Sequence, residues 1–144
     1  MSKNVFKGRS YCVASDLSID EKKYLFQKTR ELKEAWDADD WDTLGKFRID
    51  NQDFGIYEVF LEDSTRTRES FRNAAEFHGV KLSMFNSDSS SFNKSESYAD
   101  GFMTMAGYNN HIFVVRSKVE GVCRWLEKTG KKYAERNNLK MPPA

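Results

Sequence analysis

The sequence lacks an excess of either charge. Lys and Arg total 23 against 22 for Asp and Glu, a net charge of +1 over 144 residues. No global field draws such a chain to nucleic acid or to an acidic membrane, so any anion site must be local. Long apolar runs are missing too. Nothing approaches the ~20 apolar residues of a membrane span. The opening MSKNVFKGRSYCVASDLS has no apolar stretch of the length (about 7–15 residues) that a signal peptide carries. The expected setting is the cytoplasm. Cysteine is scarce. Cys12 and Cys123 lack metal-ligand spacing, and free thiols are expected in preference to the one disulfide they could form. His78 and His111 stand far apart without ligand partners, and are read as surface or capping residues, with no metal expected. There is no Gly-rich phosphate loop, no Ser-His-Asp or Cys-His constellation, no internal repeat and no long linker.

What is present is an alternation of short apolar strands and amphipathic helices. Ser18 and Glu21 form the S-x-x-E capping pattern and predict a helix over about 18–36, with Leu25, Leu32 and Trp36 on one face. The acidic segment DADDWD at 37–42 breaks it. FGIYEVFL at 54–61 is rich in aromatic and β-branched types and short for a helix, which predicts a buried strand. A helix from about Thr65 to Phe77 follows, with Phe71, Ala74 and Ala75 inward and Gly79 at the left-handed C-cap position. VKLSMF at 80–85 predicts a second strand, and the serine-rich NSDSSSFNKSES a polar loop. A helix over about 96–106 places Ala99, Phe102, Met103 and Ala106 on one face. HIFVVR at 111–116 predicts a third strand. A last helix over about 119–136 turns Val122, Trp125, Leu126 and Tyr133 inward. This order predicts a three-layer α-β-α fold. A central parallel sheet of about three to four strands carries helices on both faces, with right-handed crossovers.

One stretch breaks a local rule. In FLEDSTRTRESF, Arg66 and Arg68 fall in the first turn of a helix, where the dipole makes a cation unfavourable by roughly 0.3–1 kcal/mol. An anion there reverses the sign. A helix start offers backbone N–H groups without intrahelical partners, the hydroxyls of Ser64, Thr65 and Thr67 add donors, and a guanidinium forks onto two phosphate oxygens. Hydrogen bonds to charged groups contribute roughly 1.5–3 kcal/mol each, so two or three outweigh the dipole term. The plainer alternative is a capped helix whose arginines pair with Glu62, Asp63 or Glu69. Arg116 ends the third strand, and parallel strands bring it to the same sheet edge as Ser64 to Arg68, where ligands bind in open α/β sheets. Its own plain alternative is an arginine snorkelling at a strand end. Lys94, in the serine-rich loop, could reach an anion, and such loops are also ordinary solvated turns.

With these residues in place, the chain resembles the N-terminal half of the aspartate and ornithine carbamoyltransferase family over roughly residues 3–140. STRTR followed by ESF is similar to the family's carbamoyl-phosphate signature, SSSFNKSESYAD to its mobile serine–lysine loop, and VVRSKVEG to a further segment. The resemblance implies that Ser64, Thr65, Arg66 and Thr67 cradle the phosphate group. It implies that Thr67 and Arg116 also polarise the carbamoyl oxygen, so that Arg66, Thr67 and Arg116 carry the catalysis. Ser90 and Lys94 would reach into a neighbouring subunit of a homotrimer, and regulatory subunits are possible partners. Arg68 would have a structural or interface role. No metal or organic cofactor is implied. ESF and the lysine in the loop lean to the aspartate branch, with carbamoyl phosphate and L-aspartate as substrates, although Ser117-Lys118 stands where that branch typically has His-Pro. Residues 1–144 would be the carbamoyl-phosphate domain alone, without the amino-acid domain, inactive by itself and with a sheet lacking an edge or cover. The alternatives are an ornithine or related carbamoyltransferase domain, or a non-catalytic phosphate-binding or assembly module.

Overall fold

The structure, a computed structural model, describes residues 5–85, 98–108 and 110–138. A 3₁₀ turn at Ala14–Asp16 leads into helix α1, Ile19–Asp37. Ser18 caps it as expected: its hydroxyl accepts from the Glu21 N–H, and the Glu21 carboxylate accepts from the Ser18 N–H at 2.7 Å. Arg9 also bonds to Glu21. These two partners hold the Glu21 carboxyl down at about 2, the Arg9 hydrogen bond being the larger cause. The break after α1 contains an element the sequence reading missed. Asp40 accepts from the Thr43 N–H and starts a short helix α2, Trp41–Gly45, which buries Leu44.

Strand β1, Gly55–Phe60, is buried at all six positions. It lies in the middle of a parallel sheet of order β2-β1-β3, with β2 at Lys81–Met84 and β3 at Asn110–Arg116. The chain moves from β1 out to β2 and then back across β1 to β3. Right-handed crossovers in opposite directions put their helices on opposite faces, and the contacts agree. Helix α3, Thr65–His78, sends Ala75 into a cluster with Ile56 and Val80, flanked by Leu82 and Val114. Helix α4, Tyr98–Ala106, sets Phe102 on Phe113 at 4.5 Å between ring centroids, and Phe113 meets Tyr57 on that face. Helix α5, Val122–Arg136, follows β3 and packs beside α4. The expected three-layer parallel α/β architecture is the one found.

Several details differ from the periodicity reading. Ala74 is exposed while Ala75 is buried. Trp36, Trp125 and Tyr133 are 56%, 46% and 45% exposed, while Leu126 is buried as expected and Gly130 and Ala134 are buried with it. Leu25 also lies partly in solvent. Large aromatics at helical spacing mark a face, and the small residues beside them here make the close approach. Gly79 is a left-handed C-cap at φ +60°, and its N–H closes onto the carbonyls of Ala75 and Glu76. Ala99 was expected on the inner face of α4; its side chain lies outside what the structure describes.

Candidate functional site

The site is built from the carboxyl ends of β1 and β3. Their register pairs Phe60 with Arg116, and the Leu61 N–H continues the ladder by donating to the Arg116 carbonyl at 2.9 Å. Beyond that point β1 runs through Glu62 and Asp63 into Ser64, the N-cap of α3. Arg116 and the STRTR turn thus leave the sheet at the same end, as the parallel topology predicts.

The N-cap serine does not cap. Ser64 makes no side-chain bond to the helix backbone. Its hydroxyl donates instead to the Thr67 hydroxyl at 2.8 Å. The first intrahelical bond runs from the Arg68 N–H to the Ser64 carbonyl at 3.0 Å. Among the described residues, the N–H groups of Thr65, Arg66 and Thr67 therefore have no acceptor. No acidic residue sits in that first turn to answer the dipole. Each such N–H at an exposed turn carries partial positive charge, and together they suit an anion.

The arginines divide. Arg66 is exposed and makes no ion pair with a described residue, so the plain alternative of local pairing does not describe it. Glu69 engages Arg72 at 3.7 Å, and Glu62 engages Arg116. Arg68 turns the other way, half-buried, with its guanidinium 5.7 Å from the centre of the Phe60 ring. Arg116 lies on the solvent side of the edge, its Nε 2.9 Å from a Glu62 oxygen. Ser90 and Lys94 lie outside the described residues.

A cleft of about 380 Å³ opens beside Arg116, walled by Glu62, Ser117, Cys12, Cys123 and Arg124 as well. Ser64 to Arg68 are not part of its wall. Its far side is fixed by Arg124, which donates to both oxygens of Asp16 at 2.6 and 2.7 Å and to Glu127 at 2.6 Å. Asp16 also accepts from the Cys12 and Val13 N–H groups. The Cys12 bond first, and Arg124 next, hold its carboxyl below the usual carboxylate range. Both thiols are free, and burial pushes the Cys12 thiol up despite nearby Arg124. This clamp was not legible in the sequence, because Asp16 and Arg124 are 108 residues apart. The histidines serve structure: His111 Nδ1 accepts from the Gly55 N–H at 3.1 Å and its ring stacks on Phe54, and His78 is held near neutral by burial.

A parallel α/β layer with an uncapped, cation-bearing helix start at the carboxyl edge defines an anion-binding α/β domain. The match to known proteins narrows that class. The model of the aspartate/ornithine carbamoyltransferase, carbamoyl-P binding domain, matches residues 9–137, and the chain belongs to that family. It is 65% identical to Protein PyrBI of Treponema denticola over 141 residues, and 49% identical to Protein PyrBI of Thermotoga maritima over 144. These matches cover 98% and 97% of the chain but 26% and 27% of the relatives, so the chain spans about a quarter of their length. In structure it is similar to aspartate transcarbamoylase from Trypanosoma cruzi in complex with carbamoyl phosphate and aspartate. The TM-score is 0.73 at 26% identity, over 86% of this chain and 36% of that one.

Proposed function

We propose that this chain is the carbamoyl-phosphate-binding part of an aspartate carbamoyltransferase. The observation that carries the reading is the start of α3: among the described residues, three N–H groups have no acceptor and Arg66 no ion-pair partner, and the Ser64 hydroxyl is turned onto Thr67 instead of the helix. Such a turn gains most from a compact dianion. In the proposal Ser64, Thr65, Arg66 and Thr67 hold the phosphate group of carbamoyl phosphate. Thr67 and Arg116 bond the carbamoyl oxygen. The amine of L-aspartate attacks the carbamoyl carbon, a C–N bond forms, and negative charge collects on that oxygen. Hydrogen-bond donors held at that oxygen lower the barrier by stabilising the charge as it develops. The C–O bond to phosphate then breaks, the amine loses its proton, and N-carbamoyl-L-aspartate and phosphate leave.

Fixed donors and positioning supply the catalysis, since the carbamoyl group arrives activated by its phosphate. Ser90 and Lys94 would complete the site from a neighbouring subunit of a cytoplasmic homotrimer. Transfer to aspartate belongs to the whole enzyme. The 144 residues bind carbamoyl phosphate and by themselves do not turn it over. The relatives' names support the aspartate branch, and Ser117-Lys118 is the local feature that departs from it.

Calorimetric titration with carbamoyl phosphate tests the reading. Saturable binding that weakens about 10-fold or more in Arg66→Ala is expected from the loss of a charge-assisted fork. Absence of binding by the native chain would remove the proposal.

A further inference from the structure

Glu58 is a charged residue at the centre of the central strand. It is 1% exposed, and among the described residues neither carboxylate oxygen has a hydrogen-bond partner. Its neighbours across the sheet are Met84 and Val114, which offer nothing polar. It shares the α3-facing side with Ile56 and Phe60, as residues two apart on a strand do. A methionine or leucine would fill such a place without desolvating a charge. The residue is therefore unexplained by packing.

Its complement lies on the helix above. Arg68, in the first turn of α3, makes no ion pair with a described residue, and its guanidinium sits over the Phe60 ring. Phe60 is two residues beyond Glu58, about 7 Å along the same strand face. The charged groups that act on the buried carboxyl come from α3: Arg68 favours its ionised form, and Glu69 opposes it. Burial is the largest influence and pushes the Glu58 carboxyl above its ordinary value. Two charges of opposite sign on facing elements, without direct partners among the described residues, thus stand beside the N–H groups of Thr65 to Thr67.

We infer that Glu58 is a positioning residue: its buried negative charge draws Arg68 onto the sheet and seats the first turn of α3 in the orientation that receives an anion. With Arg68 held inward, Arg66 is the guanidinium left at the mouth of the turn, and the free N–H groups face outward on a fixed base. Glu58 never touches the ligand. The inference rests on the anion-binding reading proposed above and adds to it the buried residue that sets the site's geometry.

The sign of one measurement separates positioning from simple electrostatics. Removing a negative charge near an anion site tightens binding by Coulomb's law alone. Loss of positioning weakens it. The probe is sulfate, whose charge is constant across the range used, titrated calorimetrically into the 144-residue chain from about pH 8 down to the lowest pH at which circular dichroism shows it folded. In the native chain, affinity is expected to fall by about fivefold or more as Glu58 takes up its proton. Glu58→Gln is expected to bind at the weak level throughout, with no pH dependence from this group. Arg68→Met is expected to match it, and the double variant to be no weaker than either single one. If Glu58→Gln does not fold, as judged by circular dichroism, loss of the pH dependence in Arg68→Met carries the test, since weaker binding alone follows from removing a cation. Glu58→Gln or Arg68→Met chains that bind sulfate as tightly as native, or tighter, overturn the inference. So does a native pH profile in either. Arg66→Ala is the control for the anion site itself. If it abolishes binding while Glu58→Gln changes nothing, the inference falls and the anion reading stands. If the native chain binds no sulfate, both fall.

Discussion

Replacing Glu62 by glutamine is predicted to tighten carbamoyl-phosphate binding about 1.5- to 5-fold. The reasoning starts from a competition. Arg116 Nε is 2.9 Å from a Glu62 oxygen, so a guanidinium proposed to bond an incoming anion is partly occupied by a carboxylate. The Arg116 side chain is 43% exposed and that of Glu62 16%. An ion pair with one member this open is worth about 0.2–1 kcal/mol after screening and side-chain entropy. Glutamine keeps the size and removes the charge, so the anion no longer competes with that pair. The same energy appears as a gain in affinity, near the upper figure because Glu62 is mostly desolvated. Calorimetry with carbamoyl phosphate on both chains at low and high salt reads it directly. The gain should shrink as salt screens the native pair. Weaker binding in Glu62→Gln would refute the reasoning, because it would mean that the carboxylate holds Arg116 in its binding orientation instead of competing for it.

Three stability predictions follow from other parts of the fold. Gly79→Ala forces a side chain onto φ +60° with its Cβ 2.9 Å from an Asp50 oxygen, and should cost more than about 1 kcal/mol, seen as a drop in thermal midpoint of about 3 °C or more. Glu21 is lowered from 4.5 to about 2, so its contribution is fully present above about pH 4.5 and is lost as pH falls towards about 2. Arg9→Met should flatten that acid limb in a pH series of urea melts, and an unchanged limb would contradict the assignment. Glu58 is raised, so its burial destabilises the chain most at high pH and less as pH falls through its folded value. Glu58→Gln should therefore have the higher thermal midpoint at pH 8, with the advantage shrinking towards pH 5. A lower midpoint at pH 8 would show that the native carboxylate is well paired.

How far the sequence could be read depended on the range of the interaction. Signals carried within a few residues were legible. Ser18 with Glu21 started α1, Gly79 ended α3, and the aromatic and β-branched run at 54–61 became β1. The alternation of elements then implied a parallel sheet, and the parallel sheet put Arg116 and Ser64 at one end. What periodicity could not convey is which partner covers a face. Trp36 and Trp125 occupy helical positions that look internal, yet Ala35 and Leu126 are the residues buried beside them. The short α2 was hidden because a capping aspartate inside DADDWD reads as one more acidic turn residue. Glu58 was hidden as well. The run at 54–61 reads as a buried strand from its apolar types, and the acid within it carries no pattern of its own to show that it is enclosed on both faces. In the candidate site, the motif residues were visible and their pairing was not. The Glu62–Arg116 contact and the Asp16–Arg124 clamp join segments distant in the chain, and only folding reveals them.

The central claim is that the first turn of α3 is an anion seat. Its most direct test is amide mapping by NMR during titration with carbamoyl phosphate. The account predicts saturable shifts greatest at the N–H groups of Thr65, Arg66 and Thr67, with a smaller response at Arg116. Saturable shifts confined to another surface, with those three amides unmoved, would contradict it.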